Sequence, residues 1–412
     1  MNFDFPRTLG QEDACERLRQ ALAQSRFPHA LLVHGEPGLG QHALLLDLAQ
    51  ILSCESKEQR PCDACHSCKA FHNNSLDNVL YLMPLVKKVK GADEDDPSEG
   101  LDSASVDELL EKIQGLYANP YGFTCEDKAL VSVGQTRALI ARLGYAENRQ
   151  KSRVVLVPYF EALNMNAANS LLKILEEPPA DVYFLIGSEN RAALLPTLLS
   201  RCLHLGLAPL APADFRTAVD SLAARARTPL IPALLPFAEG APGVYLELVQ
   251  DGGEELLEEG LRFLSAASGS PMPDWRIFAD YAGQGPAAAG MEETLKLLHF
   301  LLRMVRVHES LRAKQGEADS VMRGAADNYR WTARALEREG WESSLAVYLG
   351  PLEDVGDMAA FVACLEAAHH AVKGYSKPQV ALVGLFLEYE AKVRRKAAQA
   401  AQTTAATSTV AA

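Results

Sequence analysis

No stretch of the 412-residue sequence offers the roughly 18–20 uncharged apolar residues that a membrane-spanning helix needs. The opening MNFDFPRTLGQED has neither the basic nor the apolar region of an export signal, so the expected location is the cytoplasm, with no membrane partner. Positive charge is short as well: 40 Lys and Arg stand against 53 Asp and Glu, a formal net charge of −13. That balance excludes a protein that coats nucleic acid with its own bulk charge, so contact with DNA has to be local or made through partners. Cysteines number only 8, and a reducing compartment does not favour joining them as disulfides. What is present is an ordinary globular composition, 48% hydrophobic, at a length that accommodates about two to four domains.

A more local absence lies in 35-GEPGLGQHALLL-46. A phosphate-binding loop reads G-x-x-x-x-G-K-[ST]: backbone N–H groups wrap the phosphates, the Lys reaches the β and γ oxygens, and the hydroxyl holds Mg²⁺. Gly35 and Gly40 stand at the required interval with Gly38 between them, but Gln41 occupies the Lys position and His42 the hydroxyl position. The strand that should end in acidic residues, VVLV at 154–157, runs instead into Pro158, Tyr159 and Phe160, with no carboxylate before Glu161. The two losses are independent, and each removes ATP chemistry. No ATP hydrolysis is expected; weak binding of nucleotide through the loop amides stays compatible with the sequence.

Half of the cysteines are concentrated at one place. Cys54, Cys62, Cys65 and Cys68 form C-x7-C-x2-C-x2-C, whose short intervening loops let four thiolates converge on one tetrahedral Zn²⁺. Four protein ligands would close the shell, so the expected zinc is structural and pins a small lobe, about residues 54–78. His66 and His72 are nearby substitutes, each read as an exposed loop residue.

Along the chain, apolar periodicity predicts helices at 11–25, 41–54, 134–147 and 164–177, the last stopped by Pro178-Pro179, and buried strands at 29–35, 79–86, 152–160 and 181–190. Alternating strands and helices imply a parallel α/β sheet over residues 1–207. The charged segment 87–103 reads as a solvated insertion. After a proline-punctuated linker at 207–215, helical periods recur at 214–225, 255–267, 291–314, 325–339, 342–350, 356–374 and 378–397 with no convincing strand, and 398–412 has nothing to bury and reads as disordered.

Leu9-Gly10-Gln11, 28-PHALLVHGEPGLG-40, the cysteines after the loop helix, 169-NSLLKILEEPP-179, Ser200-Arg201-Cys202 and 377-KPQVALVGLFLEY-389 together resemble the AAA+ clamp-loader subunits of bacterial DNA polymerase III, in particular the delta-prime branch. The resemblance is dense over about residues 5–205 and thinner beyond. It implies an AAA+ domain with an inserted zinc lobe (1–207), a helical lid (208–253) and an all-helical collar (254–397). The delta-prime branch commonly lacks hydrolytic residues, as this loop does, and Gly243 in GAPGVY stands where active subunits carry a nucleotide-sensing arginine. Arg201, flanked by Ser200 and Cys202 after a helix at 191–199, would reach the γ-phosphate of ATP bound on a neighbouring subunit. The implied partners are tau/gamma ATPase subunits and the delta subunit, with the sliding clamp and primed DNA met mainly through the complex. The chain would then take part in enzymatic turnover only within that assembly. Two rival readings stand beside this one, an active AAA+ ATPase with unusual motifs and a zinc-bearing adaptor of another pathway.

Overall fold

A computed structural model describes residues 2–86, 103–126, 129–144, 152–267, 291–314 and 358–373, with isolated positions between 377 and 392. The chain divides into two compact units, Met1–Leu222 with Ala241–Leu246, and Ala223–Gly240 with Glu247–Ala412.

The first unit is built on a five-stranded parallel sheet. In chain order its early elements are β1 (Asn2–Phe3), α1 (Glu12–Ala23), β2 (Ala30–His34), α2 (Gln41–Ser53), β3 (Gln59–Arg60), α3 (His66–His72), β4 (Val79–Tyr81) and β5 (Leu85–Val86). There follow α4 (Ser103–Ala118), β6 (Ala129–Leu130), α5 (Val133–Gly144), β7 (Arg153–Val157), α6 (Met165–Glu176), β8 (Val182–Ser188), α7 (Pro196–Leu199) and β9 (Leu203–Gly206). The sheet order is β4-β7-β8-β2-β9, every neighbouring pair parallel. Parallel strands covered on both faces read as continuous apolar runs; ALLVH in β2, RVVLV in β7 and VYFLIGS in β8 do so, and each is buried almost throughout. Leu32, Val155, Phe184 and Ile186 from these strands pack with Leu171 and Leu175 of α6 in one core. Small two-stranded ladders join β1 to β3 and β5 to β6.

The parallel α/β architecture is therefore as predicted, with differences in detail. The expected strand at 79–86 is split, because Pro84 supplies no N–H: β4 stays in the main sheet while β5 pairs antiparallel with β6. The expected helix at 191–199 is a 3₁₀ turn, Arg191–Ala193, followed by the single turn of α7; Leu195, preceding Pro196, is held extended. β9 falls just ahead of the presumed linker and was not predicted; nor was α4. Of the 87–103 insertion only Ser103, the first residue of α4, lies within the described residues.

The chain continues through α8 (Pro212–Ala226), a 3₁₀ segment Pro232–Ala238, α9 (Pro242–Gln250), α10 (Gly253–Ala267), α11 (Met291–Lys314) and α12 (Met358–Lys373). In the second unit α11 packs between α10 and α12, with Phe237 against Phe300 at 5.2 Å between ring centroids. Only helical elements occur there among the described residues, as predicted. The helices predicted at 325–339 and 342–350 and the tail 398–412 lie outside the described residues; several positions of the 378–397 helix are described and helical. No helix of the described residues is long and apolar enough to cross a membrane.

Candidate functional site

β2 lies between β8 and β9, and its carboxyl end opens at the edge of the sheet where ligands of open α/β folds gather. The loop that leaves it is a glycine turn: Gly38 and Gly40 have φ of 77° and 98°, the left-handed region open to a residue without Cβ, and Gly40 caps α2. Every residue of α2 except Leu52 is buried.

The cradle is occupied by the protein itself. Gln41, 2% exposed, folds its side chain back so that Nε2 donates to the carbonyls of Gly35 (2.9 Å) and Glu36 (2.6 Å), which an ATPase lysine would leave to reach phosphate. His42 is buried edge-on against Phe123 and Tyr159, with Nε2 at 3.3 Å from the Pro158 carbonyl. Burial pushes its imidazole down to about 4, so it is neutral at pH 7 and offers no hydroxyl for Mg²⁺. Tyr121 lies against the loop: its hydroxyl accepts from the Leu9 N–H at 2.8 Å, and a Cβ added at Gly40 would meet that oxygen at 2.8 Å. Gly243, at the start of α9, closes the other side by donating its N–H to the Gly38 carbonyl at 2.9 Å. A Cβ there would sit 2.3 Å from the Tyr121 carbonyl oxygen and 2.7 Å from Gly38 Cα.

These contacts are backbone to backbone, so neither partner can rotate away. Gly243→Ala is expected to cost about 1–3 kcal/mol, the range for overpacking a filled interior, read as a lower urea midpoint at unchanged slope. An unchanged midpoint would mean that the loop is not closed here. The missing arginine thus has no room at this position.

The end of β7 carries no carboxylate. Glu161, the first to follow, accepts the Glu189 N–H at 2.7 Å, and Tyr159 donates its hydroxyl to the Phe123 carbonyl at 2.6 Å.

Arg201 sits in the turn between α7 and β9, its N–H bonded to the Leu198 carbonyl at 3.1 Å. Nη1 donates to the Thr197 carbonyl at 2.5 Å and to Ser200 Oγ at 3.3 Å, and Nη2 pairs with Glu176 at the end of α6. The side chain is 26% exposed. Cys202, next along, is half-buried and its thiol is pushed up to about 11 by burial, which makes it a packing residue.

The four cysteines of the cluster do converge. Cys54 follows α2, Cys62 and Cys65 lie in the loop before α3, and Cys68 is in α3; their sulfurs all lie within 4.8 Å of one another. A zinc tetrahedron with bonds of about 2.3 Å has edges of about 3.8 Å, so modest contraction closes it. The Cys65 N–H points at Cys62 Sγ and the Cys68 N–H at Cys65 Sγ, both at 3.4 Å, donors that favour thiolate. N–H groups of Ala64 and Cys65 bring the Cys62 thiol down to about 7, whereas burial pushes Cys54 up and Cys68 up to about 12. The donor set fits a soft divalent metal. His66 and His72 are exposed as expected but belong to α3 rather than to a loop, and His72 Nε2 faces Asp63 at 3.0 Å.

Two functional pairings had no signal in the sequence, although Glu176 lies within 169-NSLLKILEEPP-179. Tyr121 meets Leu9 across 112 residues and Glu176 meets Arg201 across 25, and no local pattern marks either pairing.

A family model described as "DNA polymerase III, delta subunit" matches residues 10–211. The delta' subunit of DNA polymerase III from Yersinia pestis is 32% identical over 194 residues, 46% of this chain and 45% of that protein. The delta' subunit of Escherichia coli K12 is 27% identical over 304 residues, 74% of this chain and 75% of that one. The tau subunit of Salmonella typhimurium is 28% identical over 207 residues, 50% of this chain and 26% of that protein. The matches with the Yersinia pestis and Haemophilus influenzae delta' subunits span about half of those proteins, 45% and 44%.

Proposed function

The chain belongs to the DNA polymerase III clamp-loader family, and from that membership we propose that it is the non-hydrolysing, delta-prime-type subunit of a cytoplasmic clamp-loader ring. In this reading residues 1–207 form the AAA+ domain, 208–253 the lid and 254–397 the collar through which the ring assembles. The observation that carries it is the closed cradle: Gln41 spends its amide on the carbonyls of its own loop, while Tyr121 and Gly243 fill the space around the glycines. A loop in this state holds a fold and an interface together but lacks the lysine charge and the metal-holding hydroxyl that triphosphate hydrolysis needs.

The chemistry then belongs to a neighbour. Arg201, part-exposed at the surface of the same domain, supplies positive charge to the γ-phosphate of ATP bound on an adjoining tau/gamma subunit, where charge develops in phosphoryl transfer. The delta subunit completes the ring, which places the sliding clamp on primed DNA. Cys54, Cys62, Cys65 and Cys68 hold a zinc ion that pins the lobe and does no chemistry, since four thiolates leave no open position.

Two measurements test the reading. Clamp loading is reconstituted with and without this chain, and a ring that loads equally well in both cases would remove the assignment. The isolated chain with Mg²⁺ and ATP is expected to show no turnover above background; hydrolysis that persists through further purification and is lost in Gly40→Ala would show that the loop is active.

A further inference from the structure

We propose that Glu176 is the positioning residue for Arg201, holding the guanidinium ready for a phosphate bound on the adjoining subunit. This rests on the role assigned to Arg201 above.

The placement of Glu176 is costly for its own helix. A carboxylate in the last turn of α6 faces the negative end of the helix dipole, where a cation is favoured; Glu177 follows it as the C-cap. The helix ends there because Pro178 and Pro179 cannot continue it. The carboxylate is therefore launched from a fixed point, and the structure pairs it with Arg201 Nη2. The pair joins the end of the segment Leu171–Pro179 to the segment Ser200–Cys202, and Cys202 packs against the core that contains Leu171, Ile174 and Leu175.

A guanidinium carries five N–H groups. Two of those on Nη1 go to Thr197 and Ser200 and one on Nη2 goes to Glu176, while Nε is buried with no hydrogen bond among the described residues. The anchoring is thus carried by the tips of the fork. Thr197 and Ser200 belong to Arg201's own turn and move with it. Glu176 is the one anchor from another element, and so the one that fixes the side chain against the domain. A free arginine gives up rotamer freedom when it is immobilised, and holding it beforehand moves that cost out of the transition state. The pair is half-exposed, 26% for Arg201 and 50% for Glu176, so it is weak enough to yield one N–H to a phosphate of higher charge.

The test compares Glu176→Ala, Glu176→Gln, Arg201→Ala and the double variant, each as the full chain in a ring with its ATPase neighbours and its stoichiometry measured. Glu176→Ala is expected to lower DNA- and clamp-stimulated turnover about fivefold, the scale of one partly exposed ion pair. The KM for ATP stays unchanged, because ATP is held by the neighbour. Glu176→Gln recovers part of the loss through its amide oxygen, and also serves if alanine perturbs the end of α6. The double variant is no slower than Arg201→Ala alone, since Glu176 acts only through the guanidinium. Wild-type or raised turnover in Glu176→Ala, in a ring that Arg201→Ala does slow, would overturn the role of Glu176 and leave Arg201's standing. Additive losses in the double variant would make Glu176 a structural residue only. A ring indifferent to Arg201→Ala would overturn both, and the Arg201 variant alone reports that outcome.

Discussion

Arg201→Ala should leave this chain folded and able to enter the ring, yet cut the ring's DNA- and clamp-stimulated ATP hydrolysis. The first half follows from the surroundings of the side chain. Its hydrogen bonds go to its own turn and to one half-exposed carboxylate, and exposed ion pairs contribute about 0–1 kcal/mol. The buried core of the sheet does not include it. The second half follows from what a trans-acting arginine does for phosphoryl transfer, about 10³–10⁵ in rate at one site. The loss in total turnover should be smaller, because the remaining sites of the ring draw on arginines from other subunits. Arg201→Lys should rescue poorly: an ammonium is a point charge and cannot reproduce a planar fork held by several N–H groups, one of which it yields to phosphate. Unchanged ATPase and clamp loading, in a ring shown to contain the Arg201→Ala chain at full stoichiometry, would leave this subunit as a structural end-piece.

That Arg201 could be singled out from sequence, while its pairing with Glu176 and the pairing of Tyr121 with Leu9 could not, shows where the limit of legibility lies. The sheet was readable because a parallel strand buried on both faces must be apolar along its whole length, and VVLV or ALLV permits little else. β9 was missed because an edge strand escapes that demand: in LHLG only Leu205 is buried, and four residues give too short a period to register. The split at Pro84 could have been anticipated from the missing N–H, but the departure of β5 to another ladder depends on β6, more than forty residues later. The loop's loss of Lys and hydroxyl was written at positions 41 and 42. Its closure was not, because it takes a tyrosine from one loop and a glycine backbone from the start of α9, joined only by the tertiary fold.

Removing the metal should open one lobe and spare the sheet. The lobe has little of its own to hold it: β3 is two residues long, and α3 has seven, below the roughly 12–15 that an isolated helix needs. Its fixed points are the four sulfurs, Phe71, which packs tilted against Tyr117 at 5.1 Å between ring centroids, and a few side-chain hydrogen bonds such as Gln50 Nε2 to Asp63 at 2.8 Å. Cys54 and Cys68 are buried, and burial favours their protonated forms, so without metal these thiols stay neutral at pH 7. Zinc displaces the protons, and affinity should fall as pH drops. Freshly reduced protein should hold one Zn²⁺ per chain with sulfur as its only ligand type by X-ray absorption. Structural zinc binding is worth about 10–16 kcal/mol in small zinc domains; here part of that binding energy stabilises the lobe. Chelation, or Cys62→Ser, should therefore make the bonds after Lys57 and Lys69 cleavable by trypsin before the rest of the α/β unit is cut. β1 should lose amide protection at the same time, because its ladder partner is β3, with Asn2 beside Gln59 and Phe3 beside Arg60. The central strands β2, β7 and β8 share no ladder with the lobe, and their protection should persist. Metal content well under one equivalent would leave the cysteines as free thiols, and protection lost uniformly across sheet and lobe would show that the metal supports the whole unit.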